Sequence, residues 1–298
     1  MEIAKLALVP VLLLAGMLIR VILKGAGWRY LQSFIIYVTY PLLMFTEMVR
    51  MNLELLSLAN VVMVSVAYMI LCFLISTLTS RGLERRGRGT VIFNSTFFNS
   101  MFLPFPIIYA FYGDLSIALV FSLPFMITHN TLGIYLAARY GGRGAKSAMI
   151  ESLTFPPIVA FVLGILCRPL LSGAMSSPIF TALNSTGTLT VYLSLILAGL
   201  MIPVSAETIR LRKRVPLLIT INRLVISPVT CVLLILLLGL DGLFKNTLIV
   251  MSIMPTAFTN VIIASKFGLD VEGTVQSLLL PTIISLSLAF LLRFSGVL

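Results

Sequence analysis

The chain has 298 residues, 59% of them hydrophobic and only 10% charged, with a mean hydropathy of +1.10. That much apolar surface exceeds what one globular core can hide, so the expected solvent is lipid. The formal net charge of +11 would suggest nucleic acid in a soluble protein, but the basic residues cluster in alternate loops, so no nucleic-acid partner is expected. A single histidine, the absence of metal-ligand spacing and the lack of facing carboxylates leave no constellation for catalysis, a metal or an organic cofactor. Cys72, Cys167 and Cys231 are widely spaced within apolar segments and read as filler.

Membrane-spanning helices need about 20 mainly apolar residues, and ten windows qualify: roughly 3–23, 31–49, 58–79, 91–112, 115–138, 153–172, 187–206, 217–239, 245–265 and 274–293. The fold class expected is therefore an all-α, multi-pass protein of the cell membrane with ten transmembrane helices. The first window keeps Lys5 inside the apolar run with no small-residue cleavage pattern after it, so it is expected to be retained. Placing both termini outside puts Arg20, Lys24, Arg29, Arg81, Arg85, Arg86, Arg88, Arg139, Arg143, Lys146, Arg210, Arg212, Lys213, Arg214 and Lys266 on the cytoplasmic side. Lys5, Arg50, Arg168, Lys245 and Arg293 fall on the other side, an asymmetry that favours this orientation.

Ten spans divide into five and five, 1–146 and 147–298, and an odd number per half means that two similar halves lie in opposite orientations. The fourth span, "NSMFLPFPIIYAFYGDLSIA", and the ninth, "IMPTAFTNVIIASKFGLDVEG", share a proline-broken stretch followed by an aromatic-Gly close and an acid, Asp114 or Asp270. Interrupted helices at corresponding places in inverted halves point to a transporter's midplane site. Pro255, Pro106 and Pro104 are each expected to free a backbone carbonyl, those of Met251, Phe102 and Ser100. Each break turns a half-helix N-terminus, with its partial positive charge, toward the membrane centre, where an anion can sit. Asn99 and Ser100 lie just before the paired prolines, while Thr256, Thr259 and Asn260 follow Pro255 at spacings that share a helical face. The ordinary alternative is that the prolines only kink the helices while Thr and Asn bond neighbouring backbones.

"MPTAFTNVIIASKFGLD" followed by "SLLLPTIISLSLAFLL" resembles the C-terminal signature of the auxin efflux carrier family, a group of prokaryotic and plant secondary carriers. "FNSMFLPFPIIYAFYGD" and "FPPIVAFVLGILCRPL" resemble its fourth and sixth spans, and the likeness extends over nearly the whole chain. Pro104 departs from the family, standing where a second glycine is usual, and the short loop from Arg139 to Ser152 suits a prokaryotic member. The resemblance implies a fold like that of the bile acid:sodium symporters. In it, spans 1, 2, 6 and 7 form a scaffold domain and spans 3–5 and 8–10 a transport domain in which broken helices 4 and 9 cross. It also implies a carrier of small organic anions, dicarboxylates or auxin-like weak acids, bound at that crossing and moved by an elevator-like shift, with a homodimer as the possible assembly. Carried over by position, Asn99, Pro106 and Pro255 fall at the crossover.

Four further polar residues lie within spans. Asn130 and His129, the only histidine, sit in span 5, and histidine can titrate near neutrality, which makes proton coupling conceivable beside bonding within the bundle. Glu47 is read as an interfacial acid paired with Arg50, with proton or cation uptake as the other option. Arg223, about 10 Å into its span at 1.5 Å per residue, is read as snorkelling to the interface or else contacting the anion. Glu151 is read as a surface charge. Spans 4 and 9 hold no acid in their cores, so H+ coupling or potential-driven movement ranks above Na+ coupling. Two rivals stand beside the carrier reading: a sodium-coupled symporter of the bile acid type, and a membrane sensor or scaffold that binds without transporting.

Overall fold

The computed structural model describes residues 2–23, 28–51, 55–142, 155–202 and 213–298. The boundary expected at 146/147, Glu151, and the basic residues Lys24, Arg143, Lys146, Arg210 and Arg212 lie outside the described residues. Among the described residues the chain is all helical, its one β-type pairing an isolated bridge between Phe98 and Thr256.

In chain order the helices are α1 (Glu2–Leu23), α2 (Trp28–Phe34), α3 (Tyr40–Arg50), α4 (Leu55–Thr79), α5 (Arg85–Thr96), α6 (Pro104–Tyr112), α7 (Ser116–Thr128) and α8 (Ile134–Gly141). They continue as α9 (Pro156–Leu171), α10 (Pro178–Met201), α11 (Arg214–Ile221), α12 (Ser227–Leu238), α13 (Gly242–Ser252), α14 (Asn260–Phe267), α15 (Val271–Gln276) and α16 (Leu279–Phe294). Five stretches are long and apolar enough to cross a membrane: Ser57–Thr79, Ser116–Gly141, Pro178–Met201, Arg214–Leu238 and Val271–Phe294. Large apolar side chains such as Leu233, Leu236 and Leu237 stand outward on these rods. Water would penalise such a surface and hydrocarbon does not.

Three of the rods change pitch for one turn. Wide π-turns join α2 to α3 (Ile35–Thr39), α7 to α8 (His129–Gly133) and α11 to α12 (Asn222–Ile226). A π-turn inserts a residue into the helical ladder and re-aims the side chains on it, and such turns concentrate at functional sites. Two of the three carry His129 and the pair Asn222 and Arg223.

Helix ends follow local chemistry. Ser177 accepts the Phe180 N–H at 3.2 Å and Pro178 takes the first turn, so α10 starts well before the window read from hydropathy, which began at 187. Gly113 and Gly268 close α6 and α14 in the left-handed region, at φ +68° and +86°, each returning its N–H to the carbonyl four residues back at 2.9 Å.

Packing sorts the helices into two groups. In one, α1 lies along α10, and α3 packs against both α9 and α10. The α1–α10 contact needs glycine on both sides, because a Cβ on Gly16 would meet the Ile196 carbonyl and one on Gly199 the Leu13 carbonyl. In the other group α4 packs on α5 and α7, α5 on α8 and α11, and α14 on α8 and α15, while α13 touches α6, α7 and α12. The groups meet chiefly where α6 rests on α1 and α10 and where α3 touches α7.

Candidate functional site

Four helix ends converge around the Phe98–Thr256 bridge. Helix α5 stops at Thr96 and α13 at Ser252, both inside the protein, and the chain runs non-helical through 97–103 and 253–259 before α6 and α14 begin. The two crossing segments pair antiparallel: the Asn99 N–H donates to the Pro255 carbonyl at 2.8 Å and the Ala257 N–H to the Phe97 carbonyl at 3.5 Å. The backbone groups released by interrupting two helices thus find partners in each other, which is how irregular backbone survives away from water.

The prolines act differently from the expectation. Pro104 is the first residue of α6 and Pro106 lies within its first turn, positions where a helix has no internal use for an N–H. The Met251 carbonyl is not left free by Pro255, since the Met254 N–H reaches it at 3.3 Å. At the head of α6, Asn99 Oδ1 accepts the N–H groups of Phe102 at 3.0 Å and Leu103 at 3.4 Å. The orphan donors expected to greet an anion are therefore either capped by Asn99 or absent because the residue is proline. The helix dipole remains, but a direct hydrogen bond there has to come from a side chain.

A cavity of about 190 Å³ lies beside this crossover. Its walls include Asn99 and Ser100 from the first crossing segment, Ala257 and Thr259 from the second, His129 and Asn130 from the π-turn, and Gln32 and Phe155 from the other packing group. Phe97, Phe98, Phe102, Phe125, Met101 and Met126 supply much of the remaining surface. Asn99 is 2% exposed, and its Nδ2 has no hydrogen-bond partner among the described residues. A buried amide donor left unpaired costs about 1–3 kcal/mol.

Of the residues singled out from sequence, Asn99, Ser100, His129, Asn130 and Thr259 line this cavity. Thr256 and Asn260 face away from it into a buried amide network. The hub of that network is Asn94, which sequence reasoning passed over. Its Oδ1 accepts from Thr256 Oγ1 at 2.8 Å and Asn260 Nδ2 at 3.2 Å, and its Nδ2 donates to the Thr90 carbonyl at 3.0 Å and Thr274 Oγ1 at 3.1 Å. Asn260 Nδ2 also reaches the Phe97 carbonyl at 2.8 Å, and its Oδ1 lies 2.8 Å from His129 Nε2. With the amide nitrogen so occupied, Asn260 Oδ1 is the acceptor and His129 donates through Nε2–H. The imidazole stacks on the Phe93 ring at a centroid distance of 5.5 Å and packs beside Phe97 at 5.3 Å, the two phenyl rings being 5.4 Å from each other. Thr256, Thr259 and Asn260 do not share a helical face, because α14 begins only at Asn260.

The remaining candidates sit elsewhere. Pro106 packs against α1 and α10 beside Leu8, Val9 and Val191, and Pro255 contributes its carbonyl to the crossing pair. Arg50 gives its Nη1–H to Asn184 Oδ1 at 3.0 Å, on α10, while its charge also acts on Glu47 one turn back. Glu47 is half-buried on α3 and does not line the cavity. Arg223 does not snorkel. It is 1% exposed and gives Nε–H to the Met254 carbonyl at 3.0 Å, Nη2–H to that of Ser252 at 3.1 Å and Nη1–H to that of Ser95 at 3.4 Å. Asn222 beside it donates to Thr79 Oγ1 at 2.9 Å and Ser95 Oγ at 3.1 Å.

Comparison with known proteins agrees with this architecture. A family profile described as "Membrane transport protein" matches residues 13–146 and 142–292. An uncharacterized transporter of Methanocaldococcus jannaschii is 26% identical over 291 residues, covering 94% of each chain. A second uncharacterized transporter, from Methanothermobacter thermautotrophicus, is 26% identical over 292 residues and covers 93% of each. These matches point to a transporter rather than an enzyme, embedded in the membrane by several apolar helices. The chain belongs to the membrane transport protein family, the auxin efflux carrier-like group that its sequence resembles.

Proposed function

We propose that this transporter is a secondary carrier of small organic anions, and that the anion's carboxylate binds in the cavity beside the crossover. The single observation that carries the reading is Asn99. The residue lines a cavity next to the positive ends of α6 and α14, its oxygen caps α6, and its nitrogen is buried with no partner among the described residues. Hydroxyls of Ser100 and Thr259 and the side chain of Asn130 stand within the same walls. Among the described residues the lining otherwise consists mainly of aromatic and methionine side chains and contains no Lys or Arg. Such walls suit a weak acid with one carboxylate and an apolar or aromatic body better than a dicarboxylate, whose second charge would meet no partner.

In this reading spans 1–5 and 6–10 are inverted repeats, with the broken helices α5–α6 and α13–α14 as spans 4 and 9. The group containing α1–α3, α9 and α10 is the scaffold, and the rest is the transport domain, moving elevator-fashion with both termini outside. What supports this is the sorting of helices into two packing groups and the cavity between them, to which the scaffold group contributes Gln32 and Phe155. Movement is coupled to protons through His129 or driven by the membrane potential. His129 is suited to the first role because it borders the cavity and is hydrogen-bonded to Asn260 behind it.

The test is binding and flux with the purified protein, across aromatic and aliphatic monocarboxylates and dicarboxylates. The reading expects saturable uptake into liposomes for at least one monocarboxylate. Binding without uptake would make the protein a sensor, and a preference for dicarboxylates would overturn the assignment of the apolar walls.

A further inference from the structure

We infer that Arg223 is a resident cation of the crossover, a tethered guanidinium placed where a carrier built from interrupted helices would otherwise need a dissociable metal cation. The coupling consequence rests on the carrier reading; the electrostatic role does not.

The need for a cation follows from the geometry. Helices α5 and α13 both terminate inside the protein, and the C-terminus of each carries roughly half a negative charge. Their last carbonyls have no following turn to bond to, and in a lipid environment unsatisfied carbonyls are costly. Three oxygens from these two ends, those of Ser95, Ser252 and Met254, converge on Arg223 at 3.4, 3.1 and 3.0 Å. The arginine therefore bridges the ends of two helices that are 128 and 29 residues away in sequence from it. Oxygens of this kind are what a hard monovalent cation would take as ligands.

The surroundings hold the guanidinium in place. It is flanked by the Phe98 ring, 4.4 Å from the guanidinium carbon to the centroid. Ser227 Oγ adds a hydrogen bond to the Ser252 carbonyl at 2.8 Å, and Tyr68 bonds Ser227 in turn. Among the described residues the hydrogen bonds given by the guanidinium go to carbonyls and none goes to a carboxylate. Its countercharge is thus the pair of helix ends. The adjoining void, lined by Cys72, Ser95, Asn222 and Ser227, has a volume of about 10 Å³, enough for one water at most and not for a hydrated ion. Phe98 also forms part of the wall of the organic-anion cavity, so the fixed positive charge stands one aromatic ring behind the proposed substrate. A metal ion in this place could leave on one side of the membrane and so couple transport to its gradient. A side chain cannot.

The experiment measures thermal unfolding of the purified full-length protein in detergent, in sodium chloride and in choline chloride of equal ionic strength. Wild type and Arg223→Lys are expected to unfold at the same temperature in both salts. Arg223→Gln and Arg223→Ala are expected to unfold at lower temperature in choline and to regain several degrees in sodium, or in low concentrations of methylguanidinium for the alanine variant. Arg223→Gln keeps much of the side-chain volume, so the comparison stands even if Arg223→Ala does not fold. The inference is overturned if sodium specifically stabilises wild type, if Arg223→Gln matches wild type in choline, or if neither sodium nor methylguanidinium restores a neutral variant. None of these readings needs a substrate. Failure of every organic anion to move would remove the carrier reading and leave this one intact.

Discussion

Asn99 performs two separable tasks, and two substitutions part them. Its Oδ1 accepts N–H groups at 3.0 and 3.4 Å at the head of α6, and its Nδ2 is the unpaired donor beside the cavity. Asn99→Ala removes both. Loss of the cap costs about 0.5–2 kcal/mol of stability. Loss of a hydrogen bond to a charged ligand costs about 1.5–3 kcal/mol, which at 1.4 kcal/mol per decade weakens anion binding roughly 10- to 150-fold. Asn99→Asp keeps the capping oxygen, and a negative charge at a helix N-terminus adds about 0.3–1 kcal/mol. It also replaces the donor with a second carboxylate oxygen facing the anion. Two like charges about 4 Å apart at an effective dielectric near 20 repel by about 4 kcal/mol, so binding should fall by about a thousandfold while the fold holds. Thermal unfolding in detergent reads the first task, and isothermal titration with the best-binding anion reads the second. If Asn99→Asp binds as tightly as wild type, or if Asn99→Ala loses stability and keeps full affinity, Asn99 is a cap alone and the site assignment fails.

Asn94→Ala should destabilise without touching the cavity wall, because it strips the buried Thr256 hydroxyl of its acceptor; one orphaned donor costs about 1–3 kcal/mol. Its melting temperature should drop more than that of Thr259→Ala, whose effect should appear in affinity. His129→Gln retains a donor toward Asn260 Oδ1 but cannot take up a proton, so uptake should persist and lose whatever dependence on acid pH the wild type shows. An unchanged pH profile would leave the membrane potential as the driving force. With Cys72, Cys167 and Cys231 replaced by alanine, Arg81→Cys should resist a membrane-impermeant maleimide added to intact cells, and Ser295→Cys, exposed after the last helix, should react. The opposite pattern would invert the orientation.

Much of the spanning pattern was legible because hydropathy depends on composition along the chain alone. Every window overlaps a helix or a pair of helices, and the proline-bearing stretches at 104–106 and 255 do lie beside the interruptions. The errors have local causes. "RRGRG" at 85–89 was counted with the basic loops and opens α5, and most of "SSPIFTALNSTG" lies before the window that began at 187 and forms the first turns of α10. Both stretches sit at helix ends, where polar side chains cost nothing in lipid. The site was harder to read because partners decide its members. Asn99 and Asn260 carry the same side chain near the same crossover, yet one caps α6 at 3.0 Å beside the cavity and the other bonds Asn94 at 3.2 Å, across more than a hundred residues. Asn94 itself had a visible signal, the "NST" run inside an apolar window. Arg223 was read from its distance along the span, and that distance alone suggested snorkelling. Only the meeting of two helix ends supplies the carbonyls that let a guanidinium stay buried.

The most direct measurement is uptake of a radiolabelled aromatic monocarboxylate into liposomes containing the purified protein, run beside protein-free liposomes and the Asn99→Asp variant. Saturable uptake by wild type that competing unlabelled anion suppresses and Asn99→Asp lacks is the predicted result. Equal uptake by wild type and Asn99→Asp, or none by wild type for any organic anion despite measurable binding, contradicts the account of an anion carried at the crossover.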